Sequence, residues 1–405
     1  MTKSVLILGG GIGGLVAANE LAHKLGRTHR ITLIDRSPKH IYSASFPWIM
    51  RGWRRPEQAV KDLRRMIRPE VELVQSEIKS IDPQNQRVRT DTAELGYDYL
   101  VIALGAELAP ETIPGYNQST HDYYTLEGVT RLANELKSFP GGKVALVVAK
   151  LPYKCPAAPY EGALMLRDLF KSRGLLKKVD IQVYTPESLP MPVAGPVLGQ
   201  AVKGVVEKAG IGFHAGLQLE SINPDGREIK FRDGAVACYD LLIVVPPHRA
   251  PHALEGSSLV NEAGWVPVDK QTLRSHFNNV YAVGDVTAIT LPNGKLLPKA
   301  GVFAHFEALI VAQNISADIL GAKSEAHFNG LGYCWIEIGS GLAGFATGNF
   351  YGEPEPVIEL RRPGRLWHWG KIAFENYWLG ESLRRKSAQR VLMMGSKFLN
   401  IPGSL

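Results

Sequence analysis

The fold is decided by residues 4–14, which read SVLILGGGIGG. The apolar run at the start predicts a short, buried parallel strand, and a helical run follows the glycines directly. Gly9, Gly11 and Gly14 have the spacing G-x-G-x-x-G, which combines a tight turn with close approach of the backbone to a pyrophosphate. Asp35 ends the next apolar run, where an acid accepts ribose hydroxyls. The sequence therefore predicts a strand–turn–helix unit that binds a dinucleotide.

The choice between NAD and FAD depends on later segments, because the glycine turn alone does not make it. Residues 280–285, VYAVGD, resemble the second flavin fingerprint of the two-dinucleotide-binding flavoprotein superfamily, in which the aspartate, here Asp285, binds the ribityl chain of FAD. Residues 99–106, YLVIALGA, resemble the segment where the chain leaves the FAD domain. Together with the glycine turn and the start of the helix after residue 298, these resemblances give the expected FAD site: Gly9, Gly11, Gly13, Gly14, Asp35, Ala103, Gly105, Gly284, Asp285, Lys299 and Gly301.

A helix is predicted to start in the segment PKAGVFAH, residues 298–305, and to run to about residue 320. Its N-terminal N–H groups would face the negative charge that builds on a reduced flavin. Lys299 either adds a full positive charge there or is a solvated lysine before the helix, and the sequence leaves both readings open.

The middle of the chain predicts a second Rossmann-like unit that has lost its nucleotide turn. The strand 143–148 is followed by residues 149–162, AKLPYKCPAAPYEG, and no glycine lies between Gly142 and Gly162. Side chains and prolines there would block the backbone approach that a pyrophosphate needs. Cys155 stands in this loop instead. Electrons must then arrive by a route other than NAD(P)H, and a thiol beside a flavin offers one.

The three cysteines are too few for a disulfide scaffold and too widely spaced for a zinc site, so no metal is expected. Lys154 and the N-terminus of a helix over 161–170 predict a lowered pKa for the Cys155 thiol. Glu161 either handles protons or, as an acid at a helix N-terminus, stabilises the helix dipole. Cys238 has no motif around it and is predicted to be an inert structural thiol.

The sequence resembles the sulfide:quinone oxidoreductase and flavocytochrome c sulfide dehydrogenase family over nearly its whole length. Four segments carry the resemblance: KCPAAPYE at 154–161, VPPHRAP at 245–251, CWIEIGSGLAGF at 334–345 and WHWGKIAFE at 367–375. The resemblance implies that Cys155 and Cys334 form a sulfide-oxidising redox centre, with Cys334 nearest the flavin ring.

The resemblance also implies the order of the chemistry. Sulfide would attack a disulfide or polysulfide bridge between the two cysteines, and the released Cys334 thiolate would reduce the flavin. The chain departs from some members of the family. Residues 121–127 contain no third cysteine, as in members with two active cysteines, and residues 42–45 contain none that could attach FAD covalently at that position.

The C-terminal part predicts contact with quinone and with a membrane surface. Aromatic residues between 367 and 379 precede the basic and apolar stretch 383–399, a combination typical of a segment lying in the membrane interface. The alternative is a terminal helix that packs on its own domain. By resemblance, Phe345 and Phe374 flank a quinone ring.

The chain has 405 residues and a net charge of +7. This charge fits a basic surface without a partner, and it also fits a surface that is attracted to anionic lipid. No motif supports nucleic-acid binding. No apolar stretch approaches the roughly 20 residues of a membrane span. The N-terminal apolar run leads into the glycine turn and is not a signal peptide. We therefore expect a peripheral membrane protein on the cytoplasmic side; a homo-oligomer is left open.

The expected fold class is α/β: an FAD domain split in sequence, a second Rossmann-like domain inserted into it, and a C-terminal membrane-facing segment. The predicted ranges are 1–112 and 247–322 for the FAD domain, 113–246 for the insert and 323–405 for the C-terminal domain. The predicted activity is sulfide:quinone oxidoreductase. The alternatives are the flavin subunit of a cytochrome c-linked sulfide dehydrogenase, a type II NADH:quinone dehydrogenase and a non-enzymatic redox sensor.

Overall fold

The structure is a computed structural model that describes residues 2–323, 325–399 and 401. Residues 1, 324, 400 and 402–405 fall in the first and last predicted domains and lie outside the described residues. Through residue 112 the elements, in chain order, are β1 Ser4–Leu8, α1 Ile12–Leu25, β2 Arg30–Asp35, β3 Lys39–Ile41, α2 Phe46–Arg51, β4 Val60–Asp62, β5 Val71–Gln75, β6 Ile78–Asp82, β7 Arg87–Thr90, β8 Glu94–Gly96, β9 Tyr99–Ile102 and β10 Glu107–Leu108.

The remaining elements follow in the same order. The middle of the chain forms α3 Leu126–Ser138, β11 Gly142–Val148, α4 Ala158–Ser172, β12 Val179–Tyr184, α5 Pro196–Lys208, β13 Gly212–His214, β14 Leu219–Asn223, β15 Glu228–Phe231, β16 Val236–Cys238 and β17 Leu241–Val245. The last part forms β18 His248–Arg249, β19 Val266–Pro267, β20 Val280–Ala282, β21 Thr287–Ala288, α6 Gly301–Ile319, β22 Leu331–Gly339, β23 Leu342–Asn349, β24 Val357–Gly364, α7 Arg365–Leu379 and α8 Ser382–Phe398.

A five-stranded parallel sheet joins the two ends of the predicted FAD domain. Its order is β20–β9–β1–β2–β5. Successive side chains of the central strand β1 alternate between two apolar clusters: Val5 and Ile7 pack with residues of α1, while Leu6 and Leu8 pack with Val88 and neighbours on the other face. Burial on both faces explains why the strand is a continuous apolar run.

A second parallel sheet, β13–β12–β11–β17, lies in the middle of the chain. Its central strand β11 is buried from Val144 to Val148, and α4 begins after the loop that follows it. The short antiparallel pair β10–β18 joins the segments where the chain enters and leaves this part. The mixed α/β architecture agrees with the expected fold class, whereas the domain boundaries themselves stay a prediction.

The last part of the chain forms an antiparallel sheet, β22–β23–β24, against which α7 packs, and α8 packs on α7. The helix predicted over 161–170 is longer in the structure, where α4 covers 158–172. The helix predicted to start within 298–305 and to end near 320 is α6, which covers 301–319. Across residues 2–323, 325–399 and 401, no helix combines the length and the apolar character that membrane crossing requires.

Candidate active site

The turn after β1 forms a smooth backbone cradle. Gly9 has φ +100°, and a Cβ there would lie 2.5 Å from the Ala103 carbonyl oxygen. A Cβ at Gly14 would lie 1.8 Å from the Gly9 carbonyl oxygen, so glycine is required for α1 to pack this closely. In contrast, a Cβ at Gly11 would meet nothing within 4 Å, and Gly11 caps α1 without a side-chain hydrogen bond. The α1 N–H groups therefore face an open space that suits a pyrophosphate.

Three other glycines of the predicted FAD site, Gly13, Gly284 and Gly301, lie close to the glycine turn after β1. A Cβ at Gly13, Gly284 or Gly301 would lie within 2.9 Å of Val283, Ala304 or Ile12 side-chain atoms respectively. These contacts bring the glycine turn, the segment after β20 and the start of α6 together. α6 also begins without a side-chain cap, so its first N–H groups are open to an anionic group.

Asp35 lies at the end of β2, where its carboxylate faces the glycine turn. One carboxylate oxygen accepts from Gly10 N at 2.6 Å and the other from Ser37 N at 2.7 Å. Each oxygen keeps a free lone pair for a ribose hydroxyl. Ala103 and Gly105 follow β9, beside this turn. The residues present therefore fit FAD.

Lys299 is buried, with 5% of its surface exposed. Its Nζ donates to the carbonyl oxygens of Asp285 at 2.6 Å and Thr287 at 3.1 Å, and it lies 3.6 Å from the centre of the Trp265 ring. Burial lowers the pKa of Lys299 to about 8, although Asp285 and Glu307 oppose this. The solvated reading of Lys299 is therefore wrong, because the ammonium anchors the loop that carries Asp285.

Cys155 and Cys334 line one cavity of about 70 Å³, although they are far apart in sequence. Both are free thiols in this structure. The cavity lies between the loop before α4, the segment before α6 and the C-terminal sheet. Its other lining residues are almost all apolar: Pro156, Ala157, Met191, Val193, Ala194, Leu198, Pro298, Ala300, Val302, Phe303, Gly332, Tyr333, Ala346, Thr347, Phe350 and Ile358.

The loop that carries Cys155 is fixed to the flavin-domain segment before α6. Cys155 N donates to the Lys299 carbonyl oxygen at 2.7 Å, and Ala158 N donates to the Cys155 carbonyl oxygen at 2.8 Å. Cys155 has φ +55°, a left-handed conformation that costs a non-glycine residue about 1–2 kcal/mol. Such strain persists only where surrounding contacts enforce it. The loop is thus shaped to present one thiol to the cavity.

The predicted direction of the Cys155 pKa is wrong. The side chain is open to the cavity but enclosed by protein on its other sides, and this desolvation raises the pKa of Cys155 to about 11. Glu161 adds to the rise, while Lys371 opposes it. Burial also raises the pKa of Cys334, with Cys155 and Glu161 adding to it and Lys371 again opposing it. Among the described residues, the cation that acts on both thiols is Lys371 of α7 and not Lys154.

Glu161 is buried in the first turn of α4 and belongs to a charge cluster that the sequence did not reveal. One of its carboxylate oxygens accepts from Lys371 Nζ and from Glu337 N, the latter at 3.1 Å. Glu337, which is fully buried, accepts from His368 Nδ1 at 2.9 Å. The two acids outweigh the burial of the lysine, so the pKa of Lys371 is raised.

A second ion pair joins the same helix, through its buried residue Glu375, to the partly buried Arg54. Glu375 accepts from Arg54 at 2.8 Å and 2.9 Å and from the Ser45 hydroxyl at 2.5 Å. Lys371 and Glu375 are i and i+4 on α7, so the two pairs lie on one helix face. The WHWGKIAFE segment contains both residues, but their partners are distant in sequence and only the fold brings them together.

β22 borders both the cavity lined by the two cysteines and an aromatic cluster, and Tyr333 takes part in both. Successive side chains of a strand point to opposite faces, so Cys334 and Trp335 project in opposite directions. Trp335 lies 5.2 Å from Phe345 and 5.2 Å from Phe374, measured between ring centres, and Phe345 stacks on Trp367 at 4.5 Å. Phe345 and Phe374 therefore lie in one cluster around Trp335. The Trp335 Nε1 atom is buried and has no hydrogen-bond partner among the described residues.

The exposed surface of α7 and α8 differs from the one predicted. Trp367 and Trp378 are buried in the protein, and only Trp369, 64% exposed, faces solvent strongly. The aromatic residues point inward because they form the cluster around Trp335. The outer face is instead mainly aliphatic and basic, with Trp369 and Phe398 as its exposed aromatic residues. Among the described residues of α8 only Ala388 is buried. Its apolar members are Leu366, Trp369, Leu383, Val391, Met393, Met394 and Phe398.

Two further observations concern residues outside the cavity. Cys238 ends β16, is exposed and does not line the cavity, and its inertness stays a prediction. Across the described parts of the chain, no group of three or more His, Cys, Asp or Glu side chains is arranged to hold a metal ion.

Known proteins with related sequences agree with this architecture. The mouse (Mus musculus) mitochondrial sulfide:quinone oxidoreductase is 27% identical over 309 residues, which take in 72% of this chain and 66% of the mouse protein. The sulfide-quinone reductase of Aquifex aeolicus is 28% identical over 409 residues, 94% of this chain and 91% of that protein. The X-ray structure of the Aquifex aeolicus sulfide:quinone oxidoreductase superposes with a TM-score of 0.85 at 26% identity, covering 99% of this chain and 96% of that one.

One protein family also matches most of the chain. The family described as pyridine nucleotide-disulphide oxidoreductase matches residues 3–308, a range that includes the glycine turn, the middle sheet and the start of α6. The chain therefore belongs to the pyridine nucleotide-disulphide oxidoreductase family.

Proposed function

We propose that this protein is an FAD-dependent sulfide:quinone oxidoreductase. One observation carries the proposal: two cysteines from different parts of the chain line a single apolar cavity next to the FAD cradle. The loop that would bind NAD(P)H in a second nucleotide site is the one that carries Cys155. The named relatives are sulfide:quinone oxidoreductases, which supports the same activity for this chain.

The reaction uses a bridge between Cys155 and Cys334. The sulfur of HS⁻ forms a bond with Cys155 Sγ, the bond between the two cysteine sulfurs breaks, and Cys334 leaves as a thiolate. The Cys155 persulfide and the Cys334 thiolate then lose two electrons and one proton, which closes a bridge longer by one sulfur. FAD, when bound, accepts those two electrons and passes them to quinone. Reduction of quinone consumes the electrons and two protons.

The charge cluster beside the cysteines serves this chemistry. Lys371 lowers the pKa of both thiols and so favours the thiolate that leaves. Glu161 and Glu337 balance the lysine and offer places for a proton. His368, whose side chain is 13% exposed, connects Glu337 toward the surface. Glu161 also lies in the first turn of α4, so proton handling and dipole stabilisation are compatible roles for it.

Quinone approaches from the side of β22 opposite to the sulfide cavity. Phe345 and Phe374 provide aromatic surface for the ring, and the unpartnered N–H of Trp335 provides a donor for a quinone carbonyl. This arrangement lets sulfide and quinone use different faces of the same sheet. The two substrates then need not displace one another.

The outer face of α7 and α8 rests on a membrane at the cytoplasmic side. Leu383 is 81% exposed and Phe398 is 90% exposed, and such side chains bury favourably in the boundary between headgroups and acyl chains. Exposed Arg384, Lys386 and Arg390 on the same helix add attraction to anionic lipid. A peripheral position would give the aromatic cluster access to a quinone dissolved in the lipid.

Anaerobic titration of the FAD-loaded protein with sulfide tests the function. Sulfide should bleach the flavin absorbance, and a short-chain quinone should restore it. NADH is the control and should leave the flavin oxidised, because the loop after β11 has no glycine turn. Rapid bleaching by NADH without any effect of sulfide would instead favour a type II NADH dehydrogenase. Co-purification of a c-type haem protein would favour the cytochrome-linked alternative.

A further inference from the structure

Glu187 is a buried acid that the proposed reaction does not use. It follows β12 by three residues and is 3% exposed. One carboxylate oxygen accepts from the Tyr153 hydroxyl at 3.0 Å, from the Thr185 hydroxyl at 3.2 Å and from the Tyr160 hydroxyl. The Glu187 N–H donates back to the Thr185 hydroxyl oxygen at 3.1 Å. The cost of burying a carboxylate is offset only by such a set of donors.

The position of Glu187 matches that of Asp35 in the first sheet. β2 neighbours the central strand β1, and β12 neighbours the central strand β11. In the first unit the acid is the last residue of β2, and in the second it lies three residues past β12; each accepts a hydrogen bond from the loop that follows the central strand, from Gly10 and from Tyr153. For Asp35 the donor is a glycine N–H, which leaves room for a nucleotide. For Glu187 two of the three hydroxyl donors belong to tyrosines, and both tyrosines are buried.

The two tyrosines bracket Cys155 in the chain. Tyr153 lies two residues before the cysteine, and its hydroxyl also approaches the Pro156 carbonyl oxygen at 3.2 Å. Tyr160 lies in the first turn of α4 and is fully buried. Glu187 therefore ties together both ends of the turn in which Cys155 has its left-handed conformation. The turn has a second anchor in the hydrogen bond that Cys155 N donates to the Lys299 carbonyl oxygen.

We propose that Glu187 is a positioning residue that, through Tyr153 and Tyr160, holds the Cys155 turn in the geometry required for reaction with Cys334. The acid that would contact a ribose in a nucleotide-binding unit here fixes a thiol instead. This inference deepens the proposed function, and its sulfide readout rests on that function.

The test compares Glu187→Leu, Glu187→Gln and the double variant Tyr153→Phe/Tyr160→Phe in FAD-loaded protein. Loss of the acceptor should lower the limiting rate of flavin reduction by sulfide about tenfold to a hundredfold, the effect of misplacing a reacting group by about 1 Å. The half-saturating sulfide concentration and the reoxidation of reduced flavin by quinone should stay unchanged. Glu187→Gln should recover most of the rate, because its amide oxygen still accepts from a tyrosine hydroxyl.

A second readout does not depend on sulfide chemistry. In a background with Cys238→Ser and Cys334→Ser, the alkylation rate of Cys155 by iodoacetamide should rise when Glu187 is replaced by Leu, because a loosened turn lets water stabilise the thiolate. The control is Glu220→Leu, the same change at an exposed position in β14, which should leave both readouts unchanged.

The outcomes separate the two proposals. Wild-type rates of flavin reduction and of alkylation in folded, FAD-containing Glu187→Leu protein would overturn the role of Glu187. If Glu187→Leu does not fold, the double tyrosine variant, which keeps side-chain volume, decides by the same criteria. If sulfide fails to reduce the wild-type flavin, the proposed function falls, while the alkylation rates still decide whether Glu187 positions Cys155.

Discussion

The charge cluster beside the cysteines lets us predict opposite changes in the Cys155 pKa when its acid and its lysine are replaced. Glu161 raises the pKa of Cys155 and Lys371 lowers it. Glu161→Gln should therefore lower that pKa and speed alkylation of Cys155, whereas Lys371→Met should raise it further and slow alkylation. Only the thiolate reacts with iodoacetamide, so the rate at fixed pH reports the pKa directly.

The size of the effect follows from charge and burial. For scale, a unit charge at roughly 7 Å from any titrating group contributes about 2 kcal/mol where the effective dielectric constant is about 20. Solvent in the cavity weakens this, so we expect about one pKa unit, which is about tenfold in rate. In Lys371→Met the effect is blunted, because burial already raises the pKa of Glu337 and this acid can take up a proton when its cation is lost.

The assay uses FAD-loaded protein with Cys238→Ser and Cys334→Ser, alkylated with iodoacetamide between pH 7 and pH 9 and quantified by mass spectrometry. Arg54→Met is the matched control, because it removes a partly buried cation from the neighbouring ion pair with Glu375. Its alkylation rate should stay within about twofold of the parent. Changes of the same sign in Glu161→Gln and Lys371→Met, or an equal change in Arg54→Met, would refute the electrostatic assignment and point to general loosening.

Four further predictions concern other parts of the molecule. Cys155→Ser and Cys334→Ser should each abolish reduction of the flavin by sulfide while FAD stays bound, and Cys238→Ser should retain wild-type rates in the same spectroscopic assay. Trp335→Phe should raise the half-saturating quinone concentration about two- to tenfold, the value of one neutral hydrogen bond, without slowing flavin reduction by sulfide; an unchanged quinone dependence would remove Trp335 from that site. Leu383→Ser with Phe398→Ser should weaken sedimentation with anionic vesicles about tenfold or more, because apolar area is no longer buried in lipid, whereas Val236→Ser, at another exposed apolar position, should not. Glu307 is buried, and its pKa is raised to about 7, so the folded state keeps a proton that the unfolded state loses from about pH 4.5. Stability should therefore fall as pH rises from about 4.5 to 7, and Glu307→Gln should flatten that fall by up to about 3 kcal/mol in urea unfolding; an unchanged pH profile would contradict the assignment.

Much of the FAD half could be predicted because its signals are local. The glycine turn, the acid at the end of β2 and the VYAVGD segment each specify backbone geometry over a few residues, and each lies where that geometry predicts. The meeting of Cys155 and Cys334 rested on resemblance, because no local pattern relates residues so far apart. The charge cluster was missed for the same reason: Lys371 and Glu161 are 210 residues apart and become partners only when α7 and α4 both pack against β22.

The wrong expectations have one physical origin, which is burial. Lys154 and a helix N-terminus near Cys155 are visible in sequence and predict a lowered pKa, but desolvation acts in the opposite direction and is larger. The aromatic residues of α7 suggest an interfacial belt, yet most of them point inward around Trp335. Whether a side chain faces solvent depends on which helix face packs on the sheet, and composition does not reveal that face.

A comparison of the two parallel sheets explains how one scaffold supports both halves of the reaction. Each sheet places an acid beside the loop that follows its central strand, so each loop is held from the same direction. Where the loop is glycine, the acid and the bare backbone leave a groove for a dinucleotide. In the second sheet the acid is contacted by the side chains of Tyr153 and Tyr160 instead of by bare backbone. We propose that these hydrogen bonds hold the cysteine between the two tyrosines in place. Glu187 could have been noticed from sequence by its distance from β12, but its meaning depends on the tyrosines facing it. In the proposed role of Glu187, one loop both lacks the glycine turn and holds a thiol, so a variant that empties the tyrosine pocket should weaken the thiol chemistry without creating NADH binding.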